Sequence, residues 1–217
     1  MAVVLYGYWR SLATYRVRIA LKLKGIEYTE TDVDLGKGEQ YAPAYQALNP
    51  QNALPLFVHD GLKLTQSMAI LEYIEETWPK APLLPADAAG KARVRALAQI
   101  TAADVHPLIV PRVRELLERD FGIDEPGRMK WIRHWFDRGT RAIEAGLGDG
   151  QSGEYAHGDQ PSIADLALAS HVAGAALFKS DLGNSPRLMG IMERCMKLDA
   201  FKRAHPLAQP GAPATAP

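Results

Sequence analysis

Residues 54–79, LPLFVHDGLKLTQSMAILEYIEETWP, carry the reading that decides the fold. Leu54 to Val58 is an apolar run that reads as a short strand, Leu62 to Leu64 as another, and Gln66 to Trp78 as a helix. In the helix Ala69, Ile70, Tyr73, Ile74 and then Thr77 or Trp78 recur at three- and four-residue steps, so they share one face, while Glu72, Glu75 and Glu76 turn away. Pro79 has no N–H to continue the ladder and stops it. Upstream, Val3 to Gly7 and Tyr28 to Val33 read as two more strands, which makes the first eighty residues a small α/β unit.

The segment between those strands reads two ways. Tyr15, Val17, Ile19, Leu21 and Leu23 alternate with Arg16, Arg18, Lys22 and Lys24, as a half-buried strand would. Ser11 as an N-cap, helix formers at Ala13, Ala20, Leu21 and Leu23, and Gly25 as a C-terminal stop favour a helix, which is the expectation taken.

Downstream, APLLPADAAG (81–90) reads as a linker, with residues 83–90 joining a unit of residues 1–82 to a helical one of residues 91–204. One long helical pattern, broken or bent at Pro107 and Pro111, covers Lys91 to Asp120; others cover Met129 to Leu147, Ser162 to Phe178 and Arg187 to Lys202. Residues 205–217, HPLAQPGAPATAP, hold four prolines and read as a mobile tail.

The 217 residues carry 25 Lys+Arg against 25 Asp+Glu. That balance removes the basic footprint of a nucleic-acid binder. No apolar run approaches the ~18 residues of a membrane span, and the first residues lack the pattern of a signal peptide. A single cysteine, Cys195, allows no internal disulfide and fits a reducing compartment, so the expectation is a cytoplasmic protein. His59, His134, His157, His171 and His205 show no metal-ligand spacing. Ser162 and Asp165 read as a helix capping arrangement, and Trp131 and Trp135 as core or interface.

Three short features can carry chemistry. Ser11, opening a helix after a strand, puts a hydroxyl beside unpaired helix N–H groups, which suits a thiolate or anion, although an isolated serine there is more often a plain cap. Leu54-Pro55 is a candidate cis bond that would present the Leu54 backbone to a peptide. Gln66-Ser67 heads a helix, where side-chain and backbone donors converge on a carboxylate.

Four stretches give these features a fixed order: YWRSLATYRVRIALKLKGIEY (8–28), GEQYAPAYQALNPQNALPLFVHDGLKLTQSMAILEYIEETWPKAPLLPAD (38–87), VRALAQITAADVHPL (94–108) and HGDQPSIADLALA (157–169). Together they resemble the zeta class of glutathione transferases, which includes maleylacetoacetate and maleylpyruvate isomerases. The resemblance implies a thioredoxin-like N-terminal domain, an all-helical C-terminal domain and a homodimer with no nucleic acid or membrane partner. It makes glutathione the cofactor, Ser11 the thiol-activating serine, and Gln40, Leu54 (through its backbone beside Pro55), Gln66 and Ser67 the glutathione ligands. His106 falls where the family places a further polar contact, or is simply a residue at a helix bend. Arg10 and Arg112 are the candidates for a substrate carboxylate, since guanidinium binds carboxylate in bidentate fashion; either could instead be a surface ion-pair residue.

Lowering a thiol pKa from about 8.5 by two units takes about 2.7 kcal/mol. A hydroxyl donating to the thiolate contributes roughly 1.5–3 kcal/mol and a helix N-terminus about 0.3–1, so Ser11 on such a helix is sufficient. The chain departs from the family pattern in three places. The usual Ser-Ser-Cys is Ser11-Leu12-Ala13, the Asn-rich segment after His-Pro is Leu108-Ile109-Val110-Pro111, and an arginine pair is replaced by Gly174-Ala175-Ala176-Leu177. The expected activity is therefore weak isomerisation of an unsaturated dioxo acid, with conjugation or dehalogenation of apolar electrophiles as the alternative. A non-catalytic thioredoxin-fold binding protein is the reading from another class. A dithiol redox role is excluded by the absence of cysteine near Ser11.

Overall fold

A computed structural model describes residues 2–214, which fall into two compact units. The first comprises the described residues up to Pro82 together with those from Asp199 onward; the second is Leu83–Leu198.

In the first unit β1 (Val3–Gly7), α1 (Leu12–Leu23), β2 (Thr29–Asp32), α2 (Pro43–Gln46), β3 (Leu56–His59), β4 (Leu62–Thr65) and α3 (Ser67–Thr77) follow in order. They build a four-stranded sheet in the order β2-β1-β3-β4. β1 and β2 run parallel across the α1 crossover, and β3 and β4 are antiparallel to their neighbours. The ambiguous segment is a helix. Its C-terminus explains why: Gly25, at φ 65°, donates to the Lys22 carbonyl and Ile26 to that of Leu21, the paired bonds of a Schellman stop. The arginines that imitated the polar face of a strand are not on the surface, since Arg16 and Arg18 are each only 1% exposed. α3 packs on α1, and its C-terminal end is held by Lys24, whose Nζ donates to the carbonyls of Trp78, Lys80 and Ala81 and pairs with Glu75 at 2.7 Å.

The second unit holds α4 (Ala88–Gln99), a π-helical turn (Ile100–Val105), a 3-10 turn (His106–Leu108), α5 (Pro111–Arg119), α6 (Glu125–Gly146), α7 (Ile163–Leu177) and α8 (Pro186–Cys195). α7 packs on α4, and Val105, Ile109, Ile132, Phe136 and Ala175 form a core cluster with Trp131 and Trp135 against it. Asp165 caps α7 by accepting from the Ser162 N–H, the Ser162 hydroxyl and the Ala156 N–H, each at 2.8 Å.

Several expectations change. Residues 88–90 of the expected linker are the first turn of α4, because the Asp87 carboxylate accepts from the Gly90 N–H at 2.8 Å and starts the helix there. The bend before Pro107 is a widened helical turn, since the proline ring cannot pack over the carbonyl four residues back. The helix expected over 187–202 is two: after Cys195 the chain tightens into turn bonds, and α9 (Asp199–Ala204) packs on α1 in the first unit. Beyond it, Pro206–Ala208 form a 3-10 turn and the His205 ring sits edge-on to Tyr15, so the start of the tail is docked. Its last three residues lie outside the described residues.

Candidate functional site

The strand register gathers most of the singled-out residues of the first unit. Tyr6 pairs with Leu56 and Leu56 with Thr65. The end of β1, the start of β3 and the end of β4 therefore lie at one end of the sheet. From that end depart the loop to Ser11, the Leu54-Pro55 segment and Gln66-Ser67.

Ser11 is 8% exposed and caps α1. Its Oγ accepts from the Thr14 N–H at 3.2 Å and from the Thr14 hydroxyl at 2.8 Å. An oxygen that accepts twice keeps its own proton for an outside acceptor. The loop that delivers Ser11 is fixed from behind. The Tyr8 carbonyl accepts from the Ser11 N–H at 3.0 Å and from Arg18 Nη2 at 3.1 Å, while Arg18 Nε bonds both Glu30 carboxylate oxygens at 2.9 and 3.0 Å. Gly7 permits this approach: a Cβ there would fall against the Glu30 carboxylate and 2.7 Å from Thr14 Cγ2.

Leu54-Pro55 is cis. The preceding carbonyl, that of Ala53, accepts from Tyr45 Oη and from Asn49 Nδ2, both at 2.7 Å, which pins the segment. Leu54 itself makes no backbone hydrogen bond among the described residues. Gln40, in the 3-10 turn Glu39–Tyr41, is 2% exposed, and its Oε1 has no hydrogen-bond partner among the described residues. Gln66 stands at φ 68°, ψ 109°, exposed at the head of α3, with Nε2 donating to Gln51 Oε1 at 3.1 Å. Among the described residues no side chain caps α3, so the first N–H groups of the helix are left for an outside acceptor. Arg10 is half-buried directly before Ser11.

In the second unit His106 is half-buried and opens the 3-10 turn that follows the π-helical turn, and Arg112 is exposed in the first turn of α5.

Residues 1–76 match the family model described as "Glutathione S-transferase, N-terminal domain". A maleylpyruvate isomerase from Ralstonia sp. is 44% identical over 207 residues, covering 95% of this chain and 98% of the relative. The chain belongs to the zeta class of glutathione S-transferases. A solved holo structure described as a maleylpyruvate isomerase, "a bacterial glutathione-s-transferase in Zeta class", superposes on this transferase with a TM-score of 0.94 at 44% identity, covering 97% of this chain and all of the other. A maleylacetoacetate isomerase from Methylobacterium extorquens AM1, solved with bound malonate and GSH, gives 0.94 at 46% identity over 97% and 99%.

Within this transferase several of the residues that depart from the family pattern are packed, while Leu108, Val110 and Pro111 are half-buried and Ala176 is exposed. Leu12 and Ala13 are as buried as Ser11 itself, Ile109 belongs to the core cluster, and Gly174, Ala175 and Leu177 are buried on α7. Four supporting roles were not assigned from sequence: those of Thr14, Arg16, Arg18 and Asn49. Their signal was legible for the arginines, since a charge on the apolar face of a helix must find a partner inside. For Thr14 and Asn49 only the folded geometry reveals the bond.

Proposed function

We propose that this transferase is a glutathione-dependent isomerase acting on the cis double bond of an unsaturated dioxo acid of the maleylacetoacetate or maleylpyruvate kind, as a homodimer in the cytoplasm. The observation that carries the reading is the Ser11 hydroxyl, loaded by two hydrogen bonds from Thr14 with its proton left to donate. The sole cysteine, buried Cys195, whose thiol pKa burial pushes up, plays no part.

The residues fit glutathione. Gln40 Oε1 is a buried acceptor with no partner among the described residues, and the Leu54 backbone is likewise unpaired; these are groups that the N–H and C=O of a bound peptide would satisfy. Bound glutathione supplies a thiol nucleophile for reversible addition to a conjugated double bond. Ser11 would donate its proton toward the sulfur, with Thr14 holding the serine oxygen in place. Gln66, Ser67 and the uncapped N–H groups of α3 would take a carboxylate of the peptide. Arg10 would anchor a carboxylate of the dioxo acid. His106 and Arg112 are proposed as further glutathione and substrate contacts from the family resemblance.

The test is spectrophotometric assay of maleylpyruvate and maleylacetoacetate with and without glutathione, alongside conjugation of an apolar aryl halide. Isomerisation that requires glutathione is the expected result. Conjugation without any isomerisation would favour the second reading, for which Leu12 and Ala13 in place of a hydroxyl and a thiol speak; neither reaction would remove the catalytic assignment.

A further inference from the structure

Behind the Ser11 loop stands an ion pair whose two members meet the loop differently. Arg18, on α1, is 1% exposed, and its Nη2 donates to the Tyr8 carbonyl at 3.1 Å, the same oxygen that takes the Ser11 N–H at 3.0 Å. The guanidinium is therefore one shared oxygen away from the Ser11 backbone. It does not lose its proton in a protein, so its positive charge is permanent. Glu30, on β2, covers that charge: both carboxylate oxygens accept from Arg18 Nε, at 2.9 and 3.0 Å, and one of them also accepts from Nη2. The two hydrogens of Nη2 are thus divided between the loop and the carboxylate.

We propose that Glu30 is a tuning residue for the thiol that Ser11 activates: by neutralising Arg18 it withholds from the Ser11 loop a positive charge that would otherwise favour the thiolate. This rests on the glutathione reading above and concerns the same site. Position and charge are separated in the pair. Arg18 holds the loop through the Tyr8 carbonyl, whereas Glu30 sets how much of the cation the sulfur feels. A thiolate stabilised too far is a poorer nucleophile, so a covered cation keeps the sulfur reactive. The other charged and titratable groups around the pair are Lys22 on α1, Tyr28 just before β2, Asp32 at its end and Arg203 on α9. Asp32 and Arg203 are exposed, where solvent and salt screen them.

The experiment is a double-mutant cycle on the full chain, with Glu30→Gln, Arg18→Met and the pair, read by ultraviolet titration of bound glutathione and by the acid limb of the pH–rate profile. Glu30→Gln keeps the shape and an acceptor oxygen but uncovers the cation, so the pKa of the bound thiol should fall by about 0.5 or more. Arg18→Met leaves the carboxylate alone behind the loop and should raise it by about as much. With both charges gone, the pair should return to within about 0.2 of the wild-type value. A role in folding alone gives a different pattern: both single variants loosen the loop, the thiol pKa rises or stays put in each, and the effects add. That pattern overturns the proposal. Should either single variant fail to fold, Glu30→Met and Arg18→Gln replace them under the same criteria. Wild-type protein that binds no glutathione overturns the glutathione reading itself, a result distinct from a bound thiol that Glu30 substitutions leave unmoved.

Discussion

At the scale of single residues, the chemistry turns on where hydroxyl protons point. Ser11 accepts two bonds from Thr14 and can donate one outward. Ser11→Ala should lower kcat about 10- to 100-fold while changing glutathione affinity little, because the lost bond is to a charge that the activated thiol develops. Ultraviolet titration of the bound thiol should show its pKa rising in the variant. Thr14→Val, equal in shape but without the hydroxyl, should shift the acid limb of the pH–rate profile upward by a smaller amount, and Thr14→Ser should restore it. An unshifted thiol pKa in Ser11→Ala would place the activating donor elsewhere. Ser11 was legible in the sequence as a helix cap; its partner was not, because an N-cap pattern says nothing about which side chain donates to the cap oxygen.

At the scale of elements, two caps carry stability. Asp165 is buried and accepts three bonds, so Asp165→Ala should destabilise the protein by about 2–4 kcal/mol in urea titration, well beyond an exposed cap. At the C-terminal segment, His205 Nδ1 accepts from the Leu207 N–H, and burial lowers the pKa of the ring. The folded state therefore prefers the neutral imidazole, while the unfolded chain takes up a proton near pH 6.5. This contribution is present above that pH and is lost as pH falls from there through the lower folded pKa. His205→Asn, which keeps an acceptor without a titrating group, should have a melting temperature that falls less between pH 7 and 5 than wild type does; parallel curves would show that His205 does not titrate on unfolding. The division of the 187–202 pattern into α8 and α9 was not legible, since both halves carry helix-compatible residues and only packing of α9 on α1 separates them.

At the scale of the whole molecule, the question is which electrophile the enzyme serves. Loss of the second hydroxyl and the thiol at Leu12 and Ala13 leaves Arg10 as the nearest sequence neighbour of Ser11 able to hold a carboxylate. Arg10→Ala should depress isomerisation of the diacid at least tenfold more than conjugation of an apolar electrophile, because a carboxylate stranded without a partner costs several kcal/mol. Equal losses would assign Arg10 to the fold. The proposed homodimer is checked by sedimentation, where twice the 23.8 kDa chain mass is the expected result. Sequence by itself determined the four strands, the α3 face, the capping of α7 and the family, because each rests on local periodicity, on caps within four residues, or on motifs in a fixed order. Only the tertiary structure decided which partners Arg16 and Arg18 meet, that Thr14 loads Ser11, that Asn49 and Tyr45 hold the segment before Leu54, and that α9 belongs with the first unit. Each of these depends on which atoms meet across the fold, and a buried charge or hydroxyl takes its meaning from its partner, which the spacing of residues along a chain does not specify.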